Sequence, residues 1–451
     1  MSDSDSIQMQ IEQVKKRVND AMTMAKSLGA DGAEVAMTRQ QGLSVSTRLG
    51  EVENVEFTND GGLGITVYKD GRKGSASTAD LSETALKQAI EAAVNIAKYT
   101  SVDECSGMAD KDSLAMTPED LDLYHPKVLT TEQAISLAKE CEDTALGYDK
   151  RITNSDGATL ASFEGFKVYG NSHGQLVGYP STRHSLSCVM IANEGDDMQR
   201  DYAYTVSREF DAMDSAKKIG QQASIEALSR LGARKLATAK VPVMFRADIA
   251  NTLFGHFIAA ISGGNLYRKS SFLMDAIGKQ IFPEFLSISE RPHLKKALAS
   301  SAFDAEGVAT VDREIITDGS LASYLLTSYS ARKMGLKTTG HAGGIHNWQL
   351  AMKDAGQGGD FDAMLKTLGT GLLVTELMGQ GVNVVTGNYS RGAAGFWVEN
   401  GEIAYPVDEI TIAGKLQDIF AGIIAVGNDT DMRGSIRTGS ILVNEMQIAG
   451  S

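Results

Sequence analysis

Short stretches in which apolar and polar residues alternate run through much of this sequence, and Gly-containing turns separate them. In the first half, residues 43–48 and 63–68 alternate, and residues 59–62 and 69–71 carry Asp-Gly turn signals. Alternation with a period of two is typical of strands that bury one face, and Asp-Gly favours hairpins. We therefore predict an antiparallel meander between residues 33 and 78.

Helical spacing surrounds these strands. Apolar residues at intervals of three and four predict an amphipathic helix over residues 7–28, which Gly29 ends. Ser82 is a suitable N-cap for a second helix that continues to about residue 99. The region 103–129 is polar and is predicted to be a long surface loop. Further elements are predicted as helix 131–146, strands between 151 and 205, and helix 214–231.

The second half has one early helix, residues 248–262, followed by many short strands with Gly-containing turns. Such a pattern favours a closed or nearly closed β architecture. A late helix near 415–424 precedes a final strand at 440–443. The basic stretch 232–240 separates the two patterns. We predict an α+β protein with an N-terminal α/β domain of antiparallel strands and flanking helices (residues 1–235). Its C-terminal domain (residues 236–451) is expected to be β-rich and barrel-like, with a few helices.

Composition narrows the function. The net charge of −14 over 451 residues argues against direct nucleic-acid binding, which depends on clustered Lys and Arg. An acidic surface suits a protein that handles peptides or partner proteins. The three cysteines follow no CxxC spacing, so neither a disulfide framework nor a zinc cage is predicted. No apolar run is long enough for a membrane helix, and the acidic N-terminus lacks signal-peptide features, so we expect a cytoplasmic protein.

Motif searches exclude some chemistries. The sequence contains no Walker-type phosphate loop and no dinucleotide fingerprint after a strand. Gly170, Ser172 and Gly174 match the Gly-x-Ser-x-Gly pattern of a serine nucleophile. That nucleophile requires a strand, a sharp turn and a helix, whereas here a strand-like run lies on each side. A hairpin turn is the better prediction.

The segment 325–348 concentrates side chains that can bind or react. It combines Ser, Tyr, Arg, Lys and His residues with four glycines and one of only two tryptophans. The segment is too polar for a core element and too aromatic for a solvated loop, so binding is slightly favoured over a purely structural role. Arg and Lys could present cationic donors to a peptide. The predicted substrate- or partner-binding residues are Ser328, Tyr329, Arg332, Lys333, His341, His346 and Trp348.

Three histidines of the second half raise the question of a metal. Together, His256, His341 and His346 could in principle bind zinc and leave one position for water. However, the five-residue spacing of His341 and His346 turns by about 140° on a helix, and the glycines between them favour a loop. No Glu adjoins either residue in the sequence to act as a general base. Hydrogen bonds from the imidazoles within a turn are the alternative.

Five stretches of the chain resemble one known family. The run 326–348 carries the strongest resemblance, and it is joined by residues 44–57, 170–174, 389–403 and 445–450. These stretches span almost the whole chain. The sequence resembles the TldD/PmbA metallopeptidase family, whose members have also been called modulators of DNA gyrase.

The resemblance implies a two-subunit enzyme. In this family, paralogous TldD-type and TldE-type subunits combine into a metallopeptidase with an α/β N-terminal and a β-rich C-terminal domain. The TldD type carries His-Glu-x-x-x-His on a helix and a later Cys, which hold zinc, and the Glu is the general base. The pair degrades short or unfolded peptides, matures microcin precursors and removes an antitoxin.

The resemblance also implies that this chain has lost the catalytic motif. Asn251 falls at the first His and Thr252 at the Glu, while His256 is retained and Thr438 falls at the Cys. Amide and hydroxyl groups replace neither zinc ligands nor a carboxylate base. We therefore expect no catalytic residue and no metal in this chain, which would be a TldE-type subunit with zinc in its TldD-type partner.

Several alternatives stay open. The chain could be an autonomous metallopeptidase that uses His256, His341 and His346, or a regulatory protein that binds DNA gyrase. The isolated chain could also form a homodimer.

Overall fold

The structure is a computed structural model that describes residues 3–353 and 356–450. It confirms an α+β fold with an N-terminal antiparallel sheet and a C-terminal sheet that closes into a barrel. Within the described ranges, no helix combines the length and the apolar character needed to cross a membrane.

The first half is built on one six-stranded antiparallel sheet with the order β3-β2-β1-β4-β5-β6. Its strands are long because the two central hairpins, β1–β2 and β4–β5, pair along almost their full lengths. The strands are β1 (Gly32–Arg48), β2 (Glu51–Lys69), β3 (Arg72–Thr78), β4 (Ile152–Asn171), β5 (Leu176–Glu194) and β6 (Asp197–Ser207).

Four helices cover one face of this sheet: α1 (Asp3–Ser27), α2 (Glu83–Tyr99), α3 (Thr131–Leu146) and α4 (Ala216–Ser229). Odd-numbered residues of β1 illustrate the alternation, since Val35 and Met37 pack with α1 and α2 while Val45 packs with α3 and α4. Ser82 caps α2 as predicted, and Thr130 forms a capping box on α3. The predicted helices of this half are therefore confirmed to within a few residues.

The second half contains a five-stranded barrel with the order β12-β7-β18-β15-β14, closed because β14 also pairs with β12. Its strands are β7 (Ala239–Phe245), β12 (Gly371–Met378), β14 (Asn388–Glu399), β15 (Glu402–Lys415) and β18 (Ile441–Ala449). Two short strands extend it, β13 (Val382–Asn383) on β14 and β16 (Ile423–Val426) on β18. One face of the barrel strands packs with α5 (Ala247–Ile261), and α8 (Phe361–Leu368) packs on the opposite face.

A second, smaller sheet of the C-terminal half has the order β10-β9-β8-β11-β17. Its strands are β8 (Leu286–Glu290), β9 (Arg313–Thr317), β10 (Ser320–Leu321), β11 (Trp348–Met352) and β17 (Ile436–Arg437). The remaining short helices are α6 (Gly263–Tyr267), α7 (Ser328–Lys333) and α9 (Leu416–Ala421). The strand β17 contacts α5, so this sheet lies beside the helix that packs on the barrel strands.

Two local predictions were wrong. Residues 59–62 lie inside β2, because Gly61 and Gly62 pair with Arg39 and Thr38 of β1 in an unbroken register. Residues 103–129 are irregular, as predicted, but they are not a purely surface loop. Leu121 and other apolar residues of that region are buried against the face of the sheet opposite the helices, together with C-terminal residues such as Phe303. Apolar residues spaced without a period gave no sign of this burial.

The close packing of α3 on α4 makes a testable prediction. A Cβ added to Gly220 of α4 would overlap the backbone carbonyl oxygen of Cys141 in α3, whereas a Cβ added to Gly255 of α5 would meet no atom within 4 Å. Gly220→Ala should therefore lower the thermal unfolding midpoint, by the equivalent of about 2 kcal/mol. The matched Gly255→Ala should leave it unchanged or raise it, since Ala is the better helix former by roughly 1 kcal/mol. Equal effects of the two changes would contradict the packing.

Candidate functional site

The segment 325–348 is not one loop but a short helix followed by an irregular return. Thr327 caps α7 by accepting a hydrogen bond from the Ser330 backbone N–H, and the Ser330 hydroxyl accepts one from the Thr327 backbone N–H. After α7, Gly340, Gly343 and Gly344 adopt positive φ, which lets the chain turn sharply before β11 begins. The histidines at 341 and 346 therefore lie on a tight loop, as predicted, between α7 and β11.

The basic and aromatic residues of α7 bind within the chain. Arg332 donates to the carbonyl oxygens of Gly107 (3.0 Å) and Met108 and pairs with Asp110 at 2.9 Å. Lys333 Nζ lies 2.9 Å and Tyr329 Oη 2.7 Å from the Asp103 carboxylate. Hydrogen bonds from Lys333 and then Tyr329 lower the pKa of Asp103 to about 2.

The predicted binding residues on α7 thus join the C-terminal half to residues 103–110. Sequence spacing could not show this contact, since α7 and residues 103–110 are more than two hundred positions apart. Ser328 lies outside it, because its backbone N–H donates to the carboxylate of Glu306 in the same half of the chain, at 2.8 Å.

Behind α7, His341 and His346 meet a carboxylate that sequence analysis missed. Glu290, the last residue of β8, lies with Oε2 at 2.8 Å from His341 Nε2 and with Oε1 at 3.6 Å from His346 Nδ1. The Oε1 atom also accepts hydrogen bonds from the His346 backbone N–H (2.6 Å) and from Trp348 Nε1 (3.2 Å). One potential ligand atom from each of Glu290, His341 and His346 lies within 4.8 Å of the other two.

No Glu lies next to these histidines in the sequence, as noted above, but Glu290 lies next to them in the structure. Antiparallel pairing of β8 with β11 sets Glu290 directly opposite Trp348. A signal was present in the sequence: Leu286, Ile288 and Glu290 alternate as the buried positions of β8, so the strand ends with a charged residue on its buried face. Such a residue requires partners.

Burial alone would raise the pKa of Glu290, but the neighbouring imidazoles of His341 and His346 outweigh burial and lower the pKa to about 2. Because this pKa is below the ordinary value near 4.5, the carboxylate contributes stability above that pH and loses the contribution as pH falls toward 2. Glu290 is therefore an anion at neutral pH.

His256 does not join this group. It lies on α5 with its ring 5.8 Å from that of Tyr389, edge to face, and burial followed by the charge of Arg391 lowers its pKa. Trp348 is a core residue that contacts Phe257 of α5, with ring centroids 6.0 Å apart. The three residues that the structure brings together are therefore Glu290, His341 and His346, and His256 is not among them.

A cleft of about 620 Å³ lies between β6, α4 and the start of α5, and we call it the β6–α5 cleft. Sequence analysis did not predict it, because its walls come from five separate parts of the chain. Arg246 ties two walls together by pairing with Glu226 of α4 and with Asp248 of α5, each at 2.8 Å. The other charged and aromatic lining residues include Arg200, Asp201, Tyr202, Tyr204, Arg230, Glu376, Asp431 and Arg433.

Comparison with known proteins identifies the family. Three domain models match: PmbA/TldA metallopeptidase domain 1 over residues 33–97, the central domain over 124–231 and the C-terminal domain over 238–450. The chain is 57% identical to the metalloprotease PmbA of Escherichia coli O157:H7, covering 98% of each chain. This chain belongs to the PmbA/TldD metallopeptidase family.

Solved structures agree with that assignment. A protein of Bacteroides thetaiotaomicron described as a modulator of DNA gyrase is 31% identical, with a TM-score of 0.90 over 97% of this chain and 99% of its own. TldE of Thermococcus kodakarensis, at 21% identity, shares the fold with a TM-score of 0.80 over 96% and 99% of the two chains. Relatives named TldD homolog also match, such as one of Haemophilus influenzae at 22% identity over 85% and 82%.

The residues that the resemblance places at the zinc motif do not fit a zinc ion. The Thr252 hydroxyl donates to the Ile249 carbonyl of its own helix at 2.7 Å, and the buried Thr438 hydroxyl donates to the Gly439 carbonyl at 3.0 Å. Asn251 offers only an amide. The imidazole of His256 is left as the single good ligand, and zinc sites need three or four.

The attachment of α7 to residues 103–110 makes a second prediction. Arg332→Ala removes hydrogen bonds to three carbonyls and the pairing with Asp110, so the free energy of unfolding should fall by about 2 kcal/mol. Hydrogen exchange should accelerate first at residues 103–110. Lys337→Ala, at an exposed position just after α7, is the control and should change neither quantity. Unchanged exchange in the Arg332 variant would contradict the attachment.

Proposed function

We propose that this chain is the non-catalytic, TldE-type subunit of a two-subunit metallopeptidase and that a TldD-type paralogue performs the hydrolysis. The main support is the set of side chains on α5 at the positions of the expected motif. Metal-assisted hydrolysis needs ligands for the ion and a carboxylate to take a proton from water. At the corresponding positions this chain has the Asn251 amide and a Thr252 hydroxyl that is committed to its own helix.

The pairing with a paralogue is supported by the relatives. Haemophilus influenzae has both a protein named metalloprotease PmbA homolog, 55% identical to this chain, and the TldD homolog at 22%. Two diverged copies of one fold in one organism suit a division into a hydrolytic and a binding subunit. The substrates would be short or unfolded peptides in the cytoplasm, including microcin precursors and an antitoxin.

The β6–α5 cleft is the proposed peptide site, because an open strand edge forms one of its walls. Among the described residues, β6 pairs only with β5, so no strand pairs with its other edge. Arg433 Nη1 donates to the Tyr204 carbonyl at 3.1 Å, which shows that this carbonyl faces the cleft. Since alternate residues of an antiparallel strand point their backbone groups the same way, those of Arg200 and Tyr202 also face it.

Such an edge can bind a peptide without reading its sequence. An extended peptide added beside β6 would form main-chain hydrogen bonds, which are independent of side-chain identity. Charged side chains of both signs line the cleft and pair with one another, Arg230 with Asp201 and Glu376, and Asp431 with Arg433. The charged ends of a short peptide would exchange with partners of these pairs. The exposed ring of Tyr202 adds apolar contact area.

The two alternative functions lack such support. A metal ion that catalyses hydrolysis needs an open coordination position for water and substrate. Glu290, His341 and His346 are only 2%, 6% and 7% exposed. A role in binding DNA gyrase has no feature of the described residues in its favour. Neither is proposed.

Peptide binding by the isolated chain tests the proposal. Unfolded peptides labelled with a fluorophore should bind without being cleaved, as measured by anisotropy and by mass spectrometry of the recovered peptide. Tyr202→Ala should weaken binding about tenfold, which corresponds to roughly 1.4 kcal/mol. Tyr99→Ala removes an exposed tyrosine of α2 and should have no effect.

Cleavage of the peptide by the isolated chain would overturn the proposed division between subunits. Equal affinity of the Tyr202 and Tyr99 variants would remove the cleft from the proposal.

A further inference from the structure

The group formed by Glu290, His341 and His346 places two imidazole nitrogens beside one buried carboxylate. Among the described residues, His341 Nε2 and His346 Nδ1 are buried without a well-formed hydrogen bond. Both nitrogens nevertheless lie near the same carboxylate, at 2.8 Å and 3.6 Å. Leaving a polar group buried without a well-formed hydrogen bond costs about 1–3 kcal/mol, so a ligand held between the three side chains would stabilise the group.

The other side of His341 is arranged as in metal sites. Its Nδ1 lies 2.8 Å from the Thr339 hydroxyl oxygen, which itself has the Tyr324 and Leu326 carbonyls within reach as acceptors. If Thr339 donates to one of these carbonyls, it accepts the Nδ1 proton of His341, and the lone pair of Nε2 then faces the Glu290 carboxylate. Metal-bound histidines usually have their second nitrogen held by such a partner.

From this arrangement we propose that Glu290, His341 and His346 bind a structural zinc ion, separate from the family's motif positions on α5. A cation placed between the three side chains would satisfy both imidazole nitrogens and the Glu290 Oε2 atom at once. Two imidazoles and a carboxylate form a ligand set that suits zinc.

The spacing of the ligand atoms permits the ion. Zinc with bonds of about 2.0–2.1 Å in tetrahedral geometry places neighbouring ligand atoms about 3.3 Å apart. His341 Nε2 lies 2.8 Å from Glu290 Oε2, and one potential ligand atom from each of the three residues lies within 4.8 Å of the other two, so small side-chain movements would reach that spacing. The Glu290 Oε1 atom would keep its hydrogen bonds from the His346 backbone and from Trp348 Nε1.

Burial decides the role of the ion. The three ligands are less than one-tenth exposed, so substrate could not reach it, and the ion would fix structure. It would fasten the Gly-rich loop between α7 and β11 to the end of β8. Because α7 is attached to residues 103–110, this loop supports the contact between the two halves of the chain.

Arg313 offers the competing explanation. It lies opposite Glu290 in the β8–β9 pairing, and its charge acts on that carboxylate. If Arg313 and a protonated His341 neutralise Glu290, the group needs no metal. Metal content separates the two accounts, because the ion-paired arrangement requires none.

The test is the zinc content of the full chain produced in zinc-supplemented medium and dialysed without a chelator. Elemental analysis by inductively coupled plasma mass spectrometry should find about one zinc ion per folded chain, as one site requires. His341→Asn and His346→Asn should each reduce the content at least about tenfold, since each removes a ligand. The matched His256→Asn should retain the zinc, because His256 lies outside the group.

X-ray absorption at the zinc edge of the unmodified chain completes the test and does not depend on how the variants fold. It should show imidazole and carboxylate ligands and no sulfur. The proposal would be overturned by any of three results. These are less than about 0.1 zinc per folded wild-type chain, zinc content unchanged in the His341 and His346 variants, or a zinc spectrum without imidazole ligands. The outcome is independent of peptide binding and of the paralogue.

Discussion

The buried Glu290 carboxylate is the contact on which the C-terminal half around the candidate site depends. It ends β8, accepts hydrogen bonds from the His346 backbone and the Trp348 indole, and lies against His341. Removing the charge would leave several buried donors without an acceptor, and breaking such a buried charged group typically costs about 3–5 kcal/mol. The loop between α7 and β11 has its position because this carboxylate is there.

That loop links the core of the C-terminal half to the contact between the two halves of the chain. On one side it places Trp348 in the core beside Phe257 of α5. On the other side it follows α7, whose Arg332 and Lys333 bind residues 103–110 from the first half of the chain. The residues that made the segment 325–348 look like a binding site are therefore used to hold the molecule together. The proposed peptide site is the β6–α5 cleft, where an unpaired strand edge meets charged side chains of both signs.

Much of the fold could be predicted from sequence, because its signals are local. Period-two alternation gave the N-terminal sheet, Ser82 gave the start of α2, and short strands with glycines gave the barrel. The turn predicted at 59–62 failed because Asp-Gly is a local preference that the long β1–β2 pairing overrides. The family resemblance led to α5 and its altered motif.

The sites depend on contacts between distant residues, which local patterns do not encode. Glu290 is more than fifty positions from His346, and the register of β8 with β11 brings them together. The cleft needs β6, α4 and α5 at once. What sequence did offer at Glu290 was a charged residue at a buried position of an alternating strand, and that conflict pointed to a site.

In the proposed complex, the paralogue performs the hydrolysis and this chain binds the peptide. The most direct measurement is the peptide hydrolysis rate of the co-expressed complex with a single change in either subunit. Replacing the motif Glu of the TldD-type subunit by Gln should reduce the rate to that of the uncatalysed reaction, whereas Thr252→Ala in this chain should leave it unchanged. Hydrolysis that survives the first change, or is lost with the second, would contradict the account.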